Sequence, residues 1–285
     1  MKAYLIQNSK INFDFIDYVY LLRPYSWIHS FLVGVVAGFY AGQSSLNSLA
    51  LAGLQGLLGY LLLLLILEVK HRDIGRPLIG KTWTLLVAAL MLLIAVQNKY
   101  ALVCVGLLAV FSYLYSLKKS RPWGEVSFLT RGLTVLAQFF AVYFIFTQIV
   151  SLEVLAIAFS IALVVSSRNL IGDLRDIKTD KYTFPVLHGI NTSKSIGAIL
   201  FAGGAVSLFL VGQQIVALVA IALLIAILFI KNAFLLHRST IVLTTTLLVS
   251  MLFSLTPLVI VLIPLDALVN WATYKKIYRP INQAN

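Results

Sequence analysis

The segment 168–181 concentrates side chains that can do chemistry, and it reads Arg-Asn-Leu-Ile-Gly-Asp-Leu-Arg-Asp-Ile-Lys-Thr-Asp-Lys. Four oxygen-bearing residues follow one another in it at spacings of four, three and four: Asn169, Asp173, Asp176 and Asp180. If one helix runs through the whole segment, these spacings place three carboxylates and an amide oxygen on one stripe of its surface. The segment then presents a row of oxygen ligands.

This row of carboxylates predicts a bound divalent cation. Like charges three and four residues apart destabilise a helix by roughly 0.2–0.5 kcal/mol per pair, so the stripe is disfavoured unless a cation lies on it. Oxygen ligands suit Mg²⁺, which keeps several waters and completes its shell with phosphate oxygens. We therefore expect the three aspartates to be catalytic metal ligands. The alternative is a solvated loop in which the interleaved basic residues only offset the acids.

The composition shows what kind of structure must position these residues. The chain is 60% hydrophobic and 11% charged, whereas soluble domains are about 45–50% apolar and about 25% charged. A soluble globular domain is excluded, and so is intrinsic disorder, which requires low hydrophobicity. The chain is therefore expected to be an all-α integral membrane protein with the lipid bilayer as its surroundings. The single cysteine, Cys104, cannot form an intramolecular disulfide.

A transmembrane helix needs about 20 mostly apolar residues, and nine segments fit this requirement. They lie near 25–42, 46–67, 82–98, 100–117, 124–147, 152–170, 194–211, 214–230 and 240–263. No long polar linker or soluble appendage interrupts the pattern. We therefore expect residues 1–285 to form a single membrane domain of about nine helices.

The formal net charge of +12 is distributed unevenly between the two sides of these spans. On one side, Lys99 is the basic residue in the loops that join the predicted spans. The basic residues on the other side are Lys2, Lys10, Arg23, Lys70, Arg72, Arg76, Lys81, Lys118, Lys119, Arg121, Arg131, Arg168, Arg175, Lys178, Lys181, Lys194, Lys231 and Arg238. Basic loops mark the cytoplasmic side, so we expect the N-terminus and the motif loops to be cytoplasmic in a cell or inner membrane. This distribution explains the positive charge without a nucleic-acid partner.

The C-terminal segment conflicts with this arrangement. Lys275, Lys276 and Arg279 are basic, yet nine helices would place them on the side opposite to the other basic residues. Either the segment 266–278 lies in the membrane interface, or the number of helices differs by one.

Two segments resemble motifs of a known family. Asp-Leu-Arg-Asp-Ile-Lys-Thr-Asp-Lys-Tyr-Thr-Phe-Pro-Val-Leu-His-Gly at 173–189 resembles the second aspartate-rich motif of the UbiA-type intramembrane prenyltransferases. Tyr-Ser-Leu-Lys-Lys at 115–119 resembles their Tyr-Ser-then-basic segment after the fourth helix, and Arg23-Pro24 fits the start of their first helix. The resemblance implies a ring-like bundle of nine helices around an apolar chamber, with Mg²⁺ and a prenyl diphosphate at its mouth. The candidate substrate-binding residues here are Asn169, Arg175, Lys181, Tyr115, Ser116, Lys118 and Lys119.

The first aspartate-rich motif of that family is altered in this chain. The family usually has Asn, then Asp four and eight residues later, whereas Glu68 is followed at those offsets by Arg72 and Arg76. Glu68 and Asp73, which is out of phase, are the remaining candidate metal ligands in this region. Arg72 and Arg76 are candidates to neutralise the diphosphate directly, as guanidinium groups do well. The alternative is that these arginines only determine topology.

The resemblance implies Mg²⁺-dependent transfer of a prenyl group from a prenyl diphosphate to an aromatic or lipid-like acceptor within the membrane. Such a reaction needs no nucleophilic protein residue and no obligate protein partner. An intramembrane terpene cyclase would use the same site, and the altered first motif also allows a non-catalytic relative. A small-molecule transporter would carry charges or broken helices at the bilayer midplane, whereas the acids here lie at helix ends. Quinone-type aromatics, polar lipid heads, polyenes and tetrapyrroles all fit as acceptors.

Overall fold

The structure of the protein is a computed structural model that describes residues 26–71, 77–178 and 180–282. The side chains of 68–71, 77–82, 215, 220, 223, 226 and 274–282 are also outside the description. Within the described part, six helices are long and apolar enough to cross a membrane. The expected all-helical membrane architecture is confirmed.

The described residues form eleven α-helices, ten of which contain at least 14 residues. They are α1 Trp27–Tyr40, α2 Leu46–His71, α3 Pro77–Ala95, α4 Lys99–Ser116, α5 Ser127–Phe146, α6 Leu152–Arg175, α7 Phe184–His188, α8 Ile190–Leu210, α9 Gln214–Phe229, α10 Ala233–Leu252 and α11 Leu262–Asn282. The ends of the first eight predicted spans agree with the observed long helices to within five residues. This agreement reflects how directly apolar length predicts a spanning helix.

The ninth predicted span, 240–263, is wrong. α10 ends at Leu252, and a short 3-10 helix at Pro257–Val261 separates it from α11. Thr256 is extended, with φ −161° and ψ 130°, because the ring of a following proline disfavours the helical conformation. The hydroxyl of Thr256 accepts a hydrogen bond from the backbone N–H of Leu258. The apolar run that predicted one helix is therefore divided by Pro257.

α11 runs back along α10. The Thr245 hydroxyl donates to Asp266 Oδ2 at 2.9 Å, and Asn270 Nδ2 donates to the Arg238 carbonyl oxygen at 3.2 Å. The contacts move backwards along α10 as they move forwards along α11, so the two helices are antiparallel. The last turns of α11, which include Lys275 and Lys276, therefore lie at the same end of the bundle as the start of α10. Ten long helices in the described part, rather than nine, remove the conflict in the distribution of basic residues.

Contact between α10 and α1 closes the helices into a bundle, and α1, α5 and α6 supply much of its buried interior. α1 and α2 are in close contact at Gly34, where an added Cβ would lie 2.1 Å from the Ala52 carbonyl oxygen. Small residues allow such close approach between helices in lipid, where packing rather than the hydrophobic effect holds helices together. α1 thus packs closely against α2, and it also contacts α5.

Candidate active site

Two of the aspartates that the sequence predicts as metal ligands converge on one lysine. Asp173 lies in the last turn of α6, and Asp180 lies in the connection that follows. Lys118 Nζ is 3.6 Å from Asp173 Oδ1 and 3.9 Å from Asp180 Oδ2. The hydroxyl of Ser127, the first residue of α5, donates to Asp173 Oδ2 at 3.3 Å. The ends of α4, α5 and α6 therefore meet at a cluster of Lys118, Ser127, Asp173 and Asp180, which we call the aspartate cluster.

The electrostatics of the aspartate cluster favour a positive charge between the two carboxylates. Asp173 is only 3% exposed, so its charge interacts strongly with its neighbours. Burial by itself would lower the pKa of Lys118, but Tyr115 and the nearby aspartates raise it above its ordinary value. Burial raises the pKa of Asp180, and the charge of Lys118 opposes that rise. The cluster therefore favours the charged form of the Lys118 ammonium between its two carboxylates.

The predicted helical stripe is wrong beyond residue 175. α6 ends at Arg175, Asp176 takes the C-cap position, and a turn follows. Arg175 Nε donates to Asp176 Oδ1 at 2.7 Å, and Arg175 Nη1 lies 3.2 Å from His237 Nδ1 of α10. A helix continued through Asp180 would stack three carboxylates on one face, which like-charge repulsion disfavours. Asp180 therefore reaches Lys118 through the turn, and Asp176 faces Arg175.

The three aspartates do not converge on one point. In the described ranges, no group of three or more His, Cys, Asp or Glu side chains lies close enough to hold a metal ion. Asp173 and Asp180 share Lys118, whereas Asp176 is paired with Arg175. A metal shared by all three would require Asp176 to leave Arg175.

The other predicted substrate contacts divide into buried and exposed residues. The Tyr115 hydroxyl donates to Asn169 Oδ1 at 2.8 Å, so the amide oxygen that the sequence predicts as a ligand already accepts a hydrogen bond. Ser116 is fully buried and donates to the Tyr113 carbonyl oxygen at 2.6 Å, away from the aspartate cluster. Two predicted contacts are exposed at this end of the bundle: Lys119 and Lys181.

The predicted first-motif residues lie outside the described residues. The structure describes the backbone but not the side chain of Glu68, and it describes nothing of Arg72, Asp73 and Arg76. Their roles as metal ligands or diphosphate contacts stay predictions.

A polar cavity lies beneath the aspartate cluster, inside the bundle. It is lined by Ser26, Tyr60, Leu63, Leu64, Leu67, Tyr115, Arg131, Val165, Arg168, Asn169 and His237. Arg131 and Arg168 were predicted to lie in basic loops, and this prediction is wrong. Both side chains are buried within helices, 5% and 7% exposed. The signal that could have identified them is a basic residue inside an apolar span, which usually faces the interior of a bundle.

Two polar partners of the site, Ser127 and His237, were not predicted from the sequence. Ser127 precedes an apolar span and looks like an ordinary helix start. His237 is more than 60 residues away from Arg175 in the chain, so only the packing of α10 against α6 reveals the contact.

The short helix α7 covers the start of α5. The ring centroids of Phe184 and Phe128 are 5.5 Å apart, and His188 Nε2 lies 2.5 Å from Glu125 Oε1. Gly189 has φ +86°, a conformation that favours glycine, and it turns the chain from α7 into α8. These contacts hold the segment after Asp180 against the helix end that carries Ser127.

Comparisons with known proteins identify the fold. No family profile and no curated protein sequence matches the chain. Solved structures do match: an apo UbiA homologue from Aeropyrum pernix K1 has a TM-score of 0.61 and 16% identity, covering 79% of this chain and 97% of its own. A digeranylgeranylglyceryl phosphate synthase matches with a TM-score of 0.60 and 16% identity, covering 84% and 97%. A UbiA homologue from Archaeoglobus fulgidus matches with a TM-score of 0.55 and 16% identity, covering 84% and 98%. The chain therefore has the UbiA-type fold, as the resemblance implied.

Proposed function

We propose that this protein is an intramembrane prenyltransferase that moves a prenyl group from a prenyl diphosphate to an aromatic or lipid-like acceptor. The observation that carries the proposal is the pair of carboxylates, Asp173 and Asp180, that lie within 4 Å of the Lys118 ammonium, one helical turn from Asn169, which lines a polar cavity. The UbiA-type fold supports it, because one of the similar structures is a synthase of a prenylated glyceryl phosphate.

Mg²⁺ is the proposed metal of the site, and it would bind all three aspartates once Asp176 leaves Arg175. The ammonium of Lys118 already lies within 4 Å of two carboxylates, and hard oxygen ligands are those that Mg²⁺ prefers. The proposed ligands are Asp173, Asp176 and Asp180, and the metal would act as a Lewis acid that stabilises the departing diphosphate. Lys118 would supply a further positive charge to the same phosphate oxygens.

The remaining residues would orient the substrate and exclude water. In the proposed reaction, the bond between the allylic carbon and the diphosphate oxygen breaks, and the acceptor attacks that carbon and loses a proton. Tyr115 fixes the Asn169 side chain through its hydroxyl, and Arg175 holds Asp176. The leucines that line the cavity would keep water away from the electron-poor carbon.

The direct test uses detergent-purified protein with geranylgeranyl diphosphate, with and without MgCl₂ and a lipid extract as the source of acceptor. Mg²⁺-dependent release of diphosphate, with a prenylated product identified by mass spectrometry, is the expected result. A cyclic hydrocarbon formed without the extract would replace the proposal by a terpene cyclase. Binding of the donor without any release would indicate a non-catalytic relative.

The proposed orientation places the aspartate cluster on the cytoplasmic side. In a background without Cys104, cysteines replacing Lys119 and Lys178, both exposed near the site, should react only with a cytoplasmic thiol reagent. A cysteine replacing the exposed Ser44, in the connection at the other end of the bundle, should react only from the opposite side. Because α11 runs back along α10, a cysteine at Asn282 should be labelled together with Lys119. Labelling of positions 119 and 44 from the same side would overturn this topology.

A further inference from the structure

We infer that α10 and α11 enclose a binding site for a small monovalent cation, either Na⁺ or a proton, at Asp266 and Asn270. These two residues lie one turn apart on α11, and neither belongs to the aspartate cluster or lines the polar cavity. The site goes beyond the proposed prenyl transfer, because none of its residues is assigned to that reaction.

Asp266 is an ionisable residue buried within the bundle at the depth of the membrane interior. Its side chain is fully buried, and its Oδ2 accepts a hydrogen bond from the hydroxyl of Thr245, near the middle of the 20-residue helix α10. Thr245 follows His237 by eight residues, and His237 lies beside Arg175 at the end of α6. Asp266 is therefore roughly 12 Å deeper in the bundle than that end. Ionisable groups at such depth are costly and usually mark a functional site.

Two buried oxygen atoms here have no hydrogen-bond partner in the described part of the chain: Asp266 Oδ1 and Asn270 Oδ1. The orientation of the Asn270 amide is fixed, because its Nδ2 donates to the Arg238 carbonyl oxygen, which can only accept. Residues four apart lie on the same side of a helix, and the other polar atoms of both side chains contact α10. Both unpartnered oxygens therefore lie at the interface between α10 and α11.

The charge of the Asp266 carboxylate has no close counterion. The ion pairs among the described residues do not include Asp266. Arg168 of α6 acts on it electrostatically from a longer distance, and the group that faces it from α10 is the neutral hydroxyl of Thr245. A water molecule could bond both unpartnered oxygens but would leave the carboxylate charged. Because a buried charge is expensive unless it is paired, the site calls for a cation.

The surroundings of the two oxygens fit a small cation. Ile241 of α10 and Val269 of α11, which lie between the two hydrogen-bonded levels, pack together and exclude water. α11 begins directly after the 3-10 helix Pro257–Val261, so the helical run is interrupted shortly before Asp266. Transporters hold Na⁺ or H⁺ near the middle of the bilayer in comparable places, beside interrupted helices.

A bound cation would fasten α11 to α10. A proton on Asp266 Oδ1 would be donated to Asn270 Oδ1, so that one hydrogen bond satisfies both atoms. Na⁺ would be coordinated by the same two oxygens, since hard cations prefer oxygen ligands. Either cation neutralises the carboxylate, and because it binds only the folded bundle, it should raise stability.

The first experiment uses the natural protein, purified in detergent with a chelator and without Mg²⁺. The apparent melting temperature is measured while NaCl replaces choline chloride at constant ionic strength and alkaline pH. In the second arm, the pH is lowered to mildly acidic values in choline chloride alone. A saturable rise with NaCl identifies Na⁺. A rise on acidification alone identifies a proton, because the stability that a bound proton provides is present at low pH and lost as the pH rises. If neither treatment raises the melting temperature, the inference is wrong.

Asp266→Asn should remove the response in whichever arm shows it. The new amide would accept from the Thr245 hydroxyl and donate to Asn270 Oδ1, so the variant imitates the cation-bound state. It should therefore melt at least as high as the natural protein without the cation. The control is Glu153→Gln, which neutralises an exposed carboxylate in the first turn of α6 and should keep the response. Equal responses of these two variants would overturn the site.

Asn270→Leu tests the second oxygen and leaves the Asp266 carboxyl in place, so it decides the matter even if Asp266→Asn fails to fold. It should raise the half-saturating Na⁺ concentration at least tenfold, or move the response to lower pH if the cation is a proton. An unchanged response would contradict the inference.

Asp180→Ala separates this site from the proposed donor site, whose carboxylates also attract cations. The variant should keep the response to Na⁺ or acid even where prenyl transfer is lost. If Asp180→Ala abolishes the response, the cation binds at the aspartate cluster and the inference fails, whatever the outcome for prenyl transfer.

Discussion

Replacing Asp180 by alanine is expected to lower prenyl transfer by about 10²–10³-fold, the size of effect seen when one group that stabilises developing charge is removed. Asp180 and Asp173 hold a cation between them, so loss of either carboxylate weakens the proposed Mg²⁺ site. The measurement is the initial rate of Mg²⁺-dependent diphosphate release, together with the elution of the variant on size-exclusion chromatography.

The control for this prediction is Glu153→Ala. Glu153 is exposed in the first turn of α6, at the end far from the site, and accepts a hydrogen bond from Gln213. That variant should keep full activity. If Asp180→Ala is as active as Glu153→Ala, the aspartate cluster is not the donor site.

Asp176→Ala extends the same measurement to the aspartate that faces Arg175. If Asp176 leaves Arg175 to bind the metal, the variant should lose activity as severely as Asp180→Ala. Activity close to that of the natural protein would restrict the metal ligands to Asp173 and Asp180.

Replacing Lys118 by methionine is expected to lower the stability of the Mg²⁺-free protein by about 3–5 kcal/mol, the range for removing one partner of a buried ion pair. The variant leaves Asp173, which is 3% exposed, facing Asp180 without the ammonium between them. Lys118 and Asp180 are partly exposed, so we expect a loss of stability at the lower end of this range. The measurement is the apparent melting temperature in detergent, with and without MgCl₂.

Mg²⁺ should stabilise the Lys118→Met variant more than the natural protein. With the ammonium gone, two carboxylates repel one another, and a divalent cation relieves that repulsion. Lys119→Met is the matched control, because it removes the same charge from the neighbouring exposed position and should alter stability little. Equal Mg²⁺ stabilisation of the two variants would show that Lys118 and the metal do not share a site.

Local features of the chain were sufficient to predict the membrane class, most helix ends and the segment that carries the chemistry. The length of an apolar run determines whether a segment can span a bilayer, and each run can be judged without knowing the rest of the structure. The aspartates at 173 and 180 were identified in the same way, because their spacing and composition are local. The ninth predicted span is wrong because of Pro257, whose effect on the preceding residue competes with a continuous apolar run.

Tertiary packing alone decided which of these side chains meet. Lys118 reaches Asp173 across 55 residues of chain because α4, α5 and α6 end together, and no spacing within one segment encodes that distance. Packing also separated residues that look alike in the sequence: Lys119 is exposed, whereas Arg131 and Arg168 are buried around one cavity. A basic residue near a span predicts only a side of the membrane, since the direction of its side chain depends on which helices surround it. The polar cavity is therefore a property of the bundle, while the aspartate motif is a property of the chain.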